Sequence, residues 1–72
     1  MKLENFRKLN GWSYGELARR TGASDATVAR RWCLPSYEKQ STIPAHAFMK
    51  RILEISDGAV TPNDFYDFDD GR

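Results

Sequence analysis

The stretch ELARRTGASDATVARRW, residues 16–32, constrains the fold more than any other part of the chain. Its apolar residues recur at helical spacing, stop at Gly22 and resume after Ser24. A glycine that ends one periodic segment and a serine or aspartate that precedes the next are typical of a helix C-cap followed by an N-cap. The stretch therefore predicts two short helices joined by a turn of three or four residues.

Helix start and stop signals also lie on both sides of this stretch. Ser13 and Glu16 have the spacing of a capping box, in which each side chain bonds the other residue's backbone N–H, so we expect the second helix to begin there. Pro35 predicts that the third helix ends near Cys33, because proline cannot continue a helix. No strand pattern is present, and we expect an all-α fold of four to five helices at about residues 2–10, 13–21, 25–33, 44–56 and 62–66.

The size and composition of the chain exclude several classes of protein. With 72 residues it can form one domain with a small core, and we expect residues 1–66 to be that domain and residues 67–72 a flexible acidic tail. Its single cysteine, Cys33, and single histidine, His46, predict neither an internal disulfide nor a structural zinc site. No apolar run of membrane-spanning length and no signal-peptide pattern is present, so we expect a cytoplasmic protein.

Charge is distributed unevenly along the chain. The formal net charge is only +1, but residues 1–39 carry +4 and residues 40–72 carry −3. Such asymmetry is typical of a basic face for a polyanion with an acidic end kept away from it, although it is equally compatible with solvated surface charge.

Residues 12–28 resemble the helix-turn-helix of the phage repressor and Cro type, the XRE family. Ala18, Gly22 and Val28 fit the family pattern of alanine in the first motif helix, glycine four residues later, and valine or isoleucine six residues after the glycine. Residues 58–66, GAVTPNDFY, are similar to the last helices of small bacterial and phage members. The resemblance covers nearly the whole chain and implies a compact lambda-repressor-like DNA-binding domain.

The resemblance implies that the third helix enters the major groove of double-stranded DNA and that the second lies across the phosphate backbone. Arginine can donate two hydrogen bonds to guanine, and threonine can contact a thymine methyl group. The candidates for base reading are Asp25, Ala26, Thr27 and Arg30. The candidates for phosphate contacts are Ser13, Tyr14, Ser24, Arg31 and Lys39. Asp25 and Ser24 have a second interpretation as helix caps. Arg19 and Arg20 are compatible with DNA contact and equally with solvated surface, where Arg20 would pair with Glu16.

The C-terminal part holds more apolar side chains than so small a core needs, which favours a homodimer. The candidates for the dimer interface are Phe48, Leu53, Val60, Phe65, Tyr66 and Phe68. Val60 and Phe65 have a second interpretation, in which they only close the bottom of the core.

The predicted function is a nucleoid-associated, sequence-specific DNA-binding transcriptional regulator, with repression as the favoured mode. It would bind a palindromic operator as a homodimer, with RNA polymerase or another regulator as a further partner. The alternative is a helical protein-interaction module of the antitoxin or anti-repressor type that uses the C-terminal apolar surface. No catalytic constellation, metal-ligand set or cofactor motif is present, so we expect neither an enzyme nor a cofactor.

Overall fold

The computed structural model describes residues 1–35 and 37–65. Within this part the structure is all-helical, which confirms the predicted all-α class. Its helices are α1 (Leu3–Leu9), α2 (Tyr14–Thr21), α3 (Ala26–Cys33) and α4 (His46–Ile55), followed by a 3-10 helix at Pro62–Phe65. The predicted tail, residues 67–72, lies outside the described residues, as does Tyr66.

The junction between α1 and α2 follows its sequence signals, with one exception. Gly11 has a φ of +68°, as a helix stop in the left-handed region requires. The Ser13 hydroxyl accepts a hydrogen bond from the Glu16 N–H at 3.0 Å and so caps α2. The Glu16 carboxylate does not complete the predicted capping box, because it accepts hydrogen bonds from Arg19 and Arg20 instead.

A four-residue turn, 22–25, joins α2 to α3. Gly22 has a φ of +84°, and its N–H donates to the Ala18 carbonyl at 2.9 Å, which closes the last turn of α2. The Asp25 carboxylate accepts from the Val28 N–H at 3.1 Å and caps α3. Of the two residues predicted as this cap, Asp25 therefore makes the bond and Ser24 does not.

The core lies where α2, α3 and α4 meet. Leu17, Ala29 and Ile52 contribute one completely buried side chain from each of these helices. The inward face of α3 is centred on Ala29 and Trp32, and the half-buried Val28 packs against the same core. Ala18 on α2 and Ala29 on α3 are both buried, and their small side chains let the two helices approach closely. This packing fixes which side of α3 faces solvent.

The segment after α4 folds under the core. The Val60 N–H donates to the buried Ser56 hydroxyl at 3.1 Å, and the Asp64 carboxylate accepts from the Thr61 N–H at 2.8 Å. The Met1 ammonium donates to the same carboxylate at 3.1 Å. These bonds hold the 3-10 helix in place.

Two of the predicted dimer-interface residues are part of this chain's own core. Val60 is 1% exposed and Phe65 is 8% exposed, so neither side chain is available to a second chain in this conformation. Their second interpretation, closing the bottom of the core, is the one that the structure supports.

Among residues 1–35 and 37–65, no helix combines the length and the apolarity that crossing a membrane requires.

Candidate nucleic-acid interface

The outward face of α3 carries most of the predicted base-reading residues. Thr27, Arg30 and Arg31 are spaced three and four residues apart, so they lie on one face of the helix, and all three are exposed. Ala26 is exposed in the first turn. Because Ala29 and Trp32 are buried behind them, these side chains are held on a rigid, packed helix and point away from the core.

The two arginines of α3 differ electrostatically from those of α2. Glu16 accepts hydrogen bonds from both Arg19 and Arg20, and the Arg20 guanidinium also lies 4.5 Å from the centre of the Trp12 ring. This supports the surface-pair interpretation of the α2 arginines. Neither Arg30 nor Arg31 has an ion-pair or hydrogen-bond partner for its side chain among the described residues. The cations of α3 are therefore available to an external anion.

Asp25 and Ser24 lie where the turn enters α3, and both are exposed. One Asp25 oxygen, Oδ1, accepts the cap bond from Val28, so Asp25 has a structural role whether or not it contacts a base. The Ser24 hydroxyl caps nothing and remains a candidate for a phosphate contact. Base reading by Asp25 stays a prediction.

The start of α2 presents backbone donors rather than the Tyr14 hydroxyl. The N–H groups of Tyr14 and Gly15 precede the first donor bonded within α2, and they make no hydrogen bond in the described part of the chain. Ser13 uses its hydroxyl for the cap. A phosphate at this end of the helix would be held by the free N–H groups, as is common at helix N-termini.

The Tyr14 side chain belongs to a polar network that sequence reasoning missed. The Arg7 guanidinium donates to Glu4 through Nε at 3.0 Å and Nη2 at 2.7 Å, and it lies 4.2 Å from the centre of the Tyr14 ring. The Tyr14 hydroxyl in turn donates to Glu4 Oε1 at 3.4 Å. A phosphate would have to compete with this carboxylate for the hydroxyl, which weighs against a side-chain phosphate contact by Tyr14.

The network shifts the protonation of its members. The hydrogen bonds from Arg7 lower the pKa of Glu4, although partial burial opposes them. Burial, together with the nearby Glu4 carboxylate, raises the pKa of Tyr14. Burial also raises the pKa of the Cys33 thiol to about 12, so this residue stays protonated at neutral pH. The Glu4–Arg7 spacing is visible in the sequence, but its contact with Tyr14 depends on how α1 packs beside α2.

Lys39 lies in the segment that returns from α3 towards α4. The Ser41 hydroxyl donates to the Leu34 carbonyl at 3.2 Å, and the Thr42 N–H donates to the Arg31 carbonyl at 3.2 Å, so this segment is closed against the end of α3. Lys39 is exposed in this segment. Its phosphate contact stays a prediction.

The remaining dimer-interface candidates are scattered. Phe48 is half-buried, with its ring centre 5.2 Å from that of Trp32, and it packs against the core. Leu53 is 40% exposed on α4. Tyr66 and Phe68 lie outside the described residues. Among the described candidates, Leu53 alone combines an exposed side chain with a position on a helix surface.

In residues 1–35 and 37–65, no group of three or more His, Cys, Asp or Glu side chains is placed to hold a metal ion. Comparisons of the chain with protein-family models, with curated proteins and with solved structures returned no match.

Proposed function

We propose that this chain is a sequence-specific, double-stranded-DNA-binding transcriptional regulator that acts as a homodimer on a two-fold symmetric operator. In this proposal α2 and α3 form a helix-turn-helix within a lambda-repressor-like domain. The observation that carries the proposal is the outward face of α3, where Thr27, Arg30 and Arg31 are exposed and neither arginine side chain is paired with another of residues 1–35 and 37–65.

The chemistry of this face suits the major groove. An arginine with a free guanidinium can donate two hydrogen bonds to guanine O6 and N7, and threonine can contact a thymine methyl group. Ala26 lets the start of the helix approach a base pair closely. The free N–H groups of Tyr14 and Gly15 at the start of α2 supply a phosphate anchor that positions the protein without reading sequence.

The homodimer follows from the number of phosphate contacts that one protomer can make. The chain has a formal net charge of only +1, so a single protomer offers few cations for counterion release. Two protomers on one operator double these contacts and match a palindromic site. Repression by occlusion of RNA polymerase in the nucleoid is the simplest mode of action for so small a domain.

The alternative, a module that acts by binding a partner protein, depends on a C-terminal apolar surface. That surface is smaller than the sequence predicts, because Val60 and Phe65 are buried in the core. The same burial removes these two side chains from the predicted dimer interface, so the alternative stays open and the DNA-binding experiments below test between the two.

Selection of bound duplexes from random DNA tests the proposal directly. We expect enrichment of a palindrome whose half-site centres are roughly 10 bp apart, the spacing that two-fold helix-turn-helix dimers require. Binding should fall steeply as salt concentration rises, because phosphate contacts release counterions. Failure to enrich any sequence would refute the proposal.

Two variants separate base reading from general charge effects. Arg30→Ala and Thr27→Ala should each weaken specific binding by about 1–3 kcal/mol and relax the preference at one operator position. Lys50→Ala is the matched control, because it removes one exposed positive charge from α4. Equal losses for Arg30→Ala and Lys50→Ala would show that the α3 face does not read bases.

A further inference from the structure

The outward side of α4 faces solvent. The inward side packs against the core through Ile52, which is completely buried. The exposed residues of the opposite side are Ala47, Lys50, Leu53 and Glu54, and we call these four residues the α4 face. Leu53 contributes an apolar side chain that is 40% exposed. The α4 face therefore combines charges of both signs with an exposed leucine.

The charges of the α4 face are separated along the helix axis. Lys50 precedes Glu54 by about one turn, and a second exposed acid, Asp57, follows the end of the helix. α4 has no acidic residue in its first turn and no basic residue in its last turn. Its acidic side chains therefore lie near the negative end of the helix dipole, which is unfavourable for a single helix.

The helix does not neutralise these charges itself. Lys50 and Glu54 are four residues apart, but neither side chain makes an ion pair or a hydrogen bond in the described part of the chain. Lysine before glutamate is also the less favourable order for a pair at this spacing. Both charges are therefore available to external groups of opposite sign.

A second copy of the same helix, antiparallel to the first, supplies those groups. A two-fold axis at the level of residue 52 places Lys50 of each copy opposite Glu54 of the other, because positions 50 and 54 lie equally far from 52. One symmetry operation thus forms two ion pairs, as in an isologous interface. Leu53 of both copies then flanks the axis. The antiparallel arrangement also brings the opposite ends of the two helix dipoles together.

We propose that the α4 face is the contact surface between two copies of this chain, with Lys50 of each copy paired to Glu54 of the other and the two Leu53 side chains packed across the axis. This inference names the surface of the proposed homodimer and rests on that part of the proposed function. The contact is short, because a helix of 10 residues is about 15 Å long. Small interfaces are typical of transient complexes, so we expect weak association without DNA.

Charge reversal tests the pairing, with self-association measured by sedimentation equilibrium at low salt and without DNA. Lys50→Glu places two carboxylates opposite each other at both contacts, and Glu54→Lys places two ammonium groups there. Each variant should raise the dissociation constant of the dimer about tenfold or more. The double variant Lys50→Glu/Glu54→Lys exchanges the signs, restores both pairs and should associate like the unaltered chain. A mixture of the two single variants should form a mixed dimer, because one face is then wholly acidic and the other wholly basic.

Lys39→Glu and Glu38→Lys are the matched controls. Both residues are exposed outside α4, and the substitutions change the net charge by the same amounts as the single α4 variants. They should associate like the unaltered chain. Because Lys50 belongs to the α4 face, the comparison of Lys50→Ala with Arg30→Ala on DNA is made at protein concentrations that keep both variants dimeric.

Several results would overturn the proposal. An unaltered chain that stays monomeric at about 1 mM does so, since the face is then solvated or covered by a different protein. A double variant or a mixture that associates no better than the single variants does so too, as do single variants that match their controls. Should a single variant fail to fold, the unaltered chain still decides, because association that does not weaken as salt rises excludes exposed ion pairs.

The selection of bound DNA is independent of these measurements. An enriched palindrome together with α4 variants that associate normally removes the α4 face and keeps the regulator. Restored association in the double variant without any enriched sequence keeps the α4 face and removes the regulator.

Discussion

Replacement of Gly22 tests the turn that places α3 relative to α2. The residue has φ +84° and ψ 11°, in the left-handed region. A Cβ atom built there would have the Phe48 ring as its nearest neighbour, at 3.9 Å, which is an ordinary van der Waals distance. Space is therefore not limiting, and the cost of Gly22→Ala is conformational, about 1–2 kcal/mol for a residue with a Cβ in this region. Gly22→Val should cost about 2–3 kcal/mol, because β-branched residues fit positive φ poorly.

Thermal unfolding followed by circular dichroism measures these losses. For a domain of this size a loss of 1 kcal/mol lowers the Tm by about 4–8 °C, so the alanine variant should melt clearly below the unaltered chain. Gly22→Asn should lower the free energy of unfolding less than Gly22→Ala does, because asparagine tolerates the left-handed region.

Gly15→Ala is the matched control for Gly22. Gly15 lies inside α2 without a positive φ, and a Cβ there would lie 3.7 Å from the Ser13 hydroxyl oxygen. Alanine should stabilise the protein at this position by about 0.5–1 kcal/mol, because glycine is entropically unfavourable in a helix. A Gly22→Ala variant that melts with or above the unaltered chain would refute the turn geometry.

Two further predictions concern the cap of α3 and the Glu4 network. Asp25→Ala should lower the free energy of unfolding in urea by about 1 kcal/mol through loss of the cap, whereas Ser24→Ala should leave it unchanged, and equal effects would contradict the assignment. Glu4→Gln should cost about 1–2 kcal/mol, because hydrogen bonds to a charged group are lost. Since folding lowers the pKa of Glu4 below the ordinary glutamate value of 4.5, its stabilisation is complete above that pH and is lost as the pH falls through the lower folded value. Urea titrations between pH 3 and 7 should therefore show a steeper acid loss in the unaltered chain than in Glu4→Gln.

The helices were predictable because their ends carry local signals. Gly22 and Pro35 disrupt the helical pattern through backbone geometry alone, and the structure ends α2 and α3 where these residues require. The start of α4 was less predictable. Pro44 favours a helix start, yet α4 begins at His46, because the backbone of Ala45 is still extended (φ −65°, ψ 165°) and Ala45 is the N-cap.

Contacts between distant parts of the chain were the least predictable. The sequence shows that Val60 and Phe65 are apolar and lie near a turn, but it does not show whether they are covered by the chain's own core or by a second chain. The structure shows that the core covers them, and the bond from Met1 to Asp64 ties the 3-10 helix to the start of the chain. Likewise the Tyr14 side chain was a reasonable phosphate candidate until the packing of α1 placed Glu4 beside its hydroxyl.

The arginines of α2 are paired and those of α3 are exposed to solvent, and the sequence spacing of their acidic neighbours predicts this difference. Glu16 precedes Arg19 and Arg20 by three and four residues, the separations at which helical side chains meet, and both pairs form. Asp25 precedes Arg30 and Arg31 by five and six residues, outside that register, and its carboxylate is used by the cap. α3 itself contains no acidic residue, so nothing on the helix can neutralise these two cations. Their removal should change stability by no more than about 0.5 kcal/mol, as expected for exposed side chains that pair with nothing in the described part of the chain. Any larger loss of DNA binding in Arg30→Ala would then belong to the contact with DNA rather than to the fold.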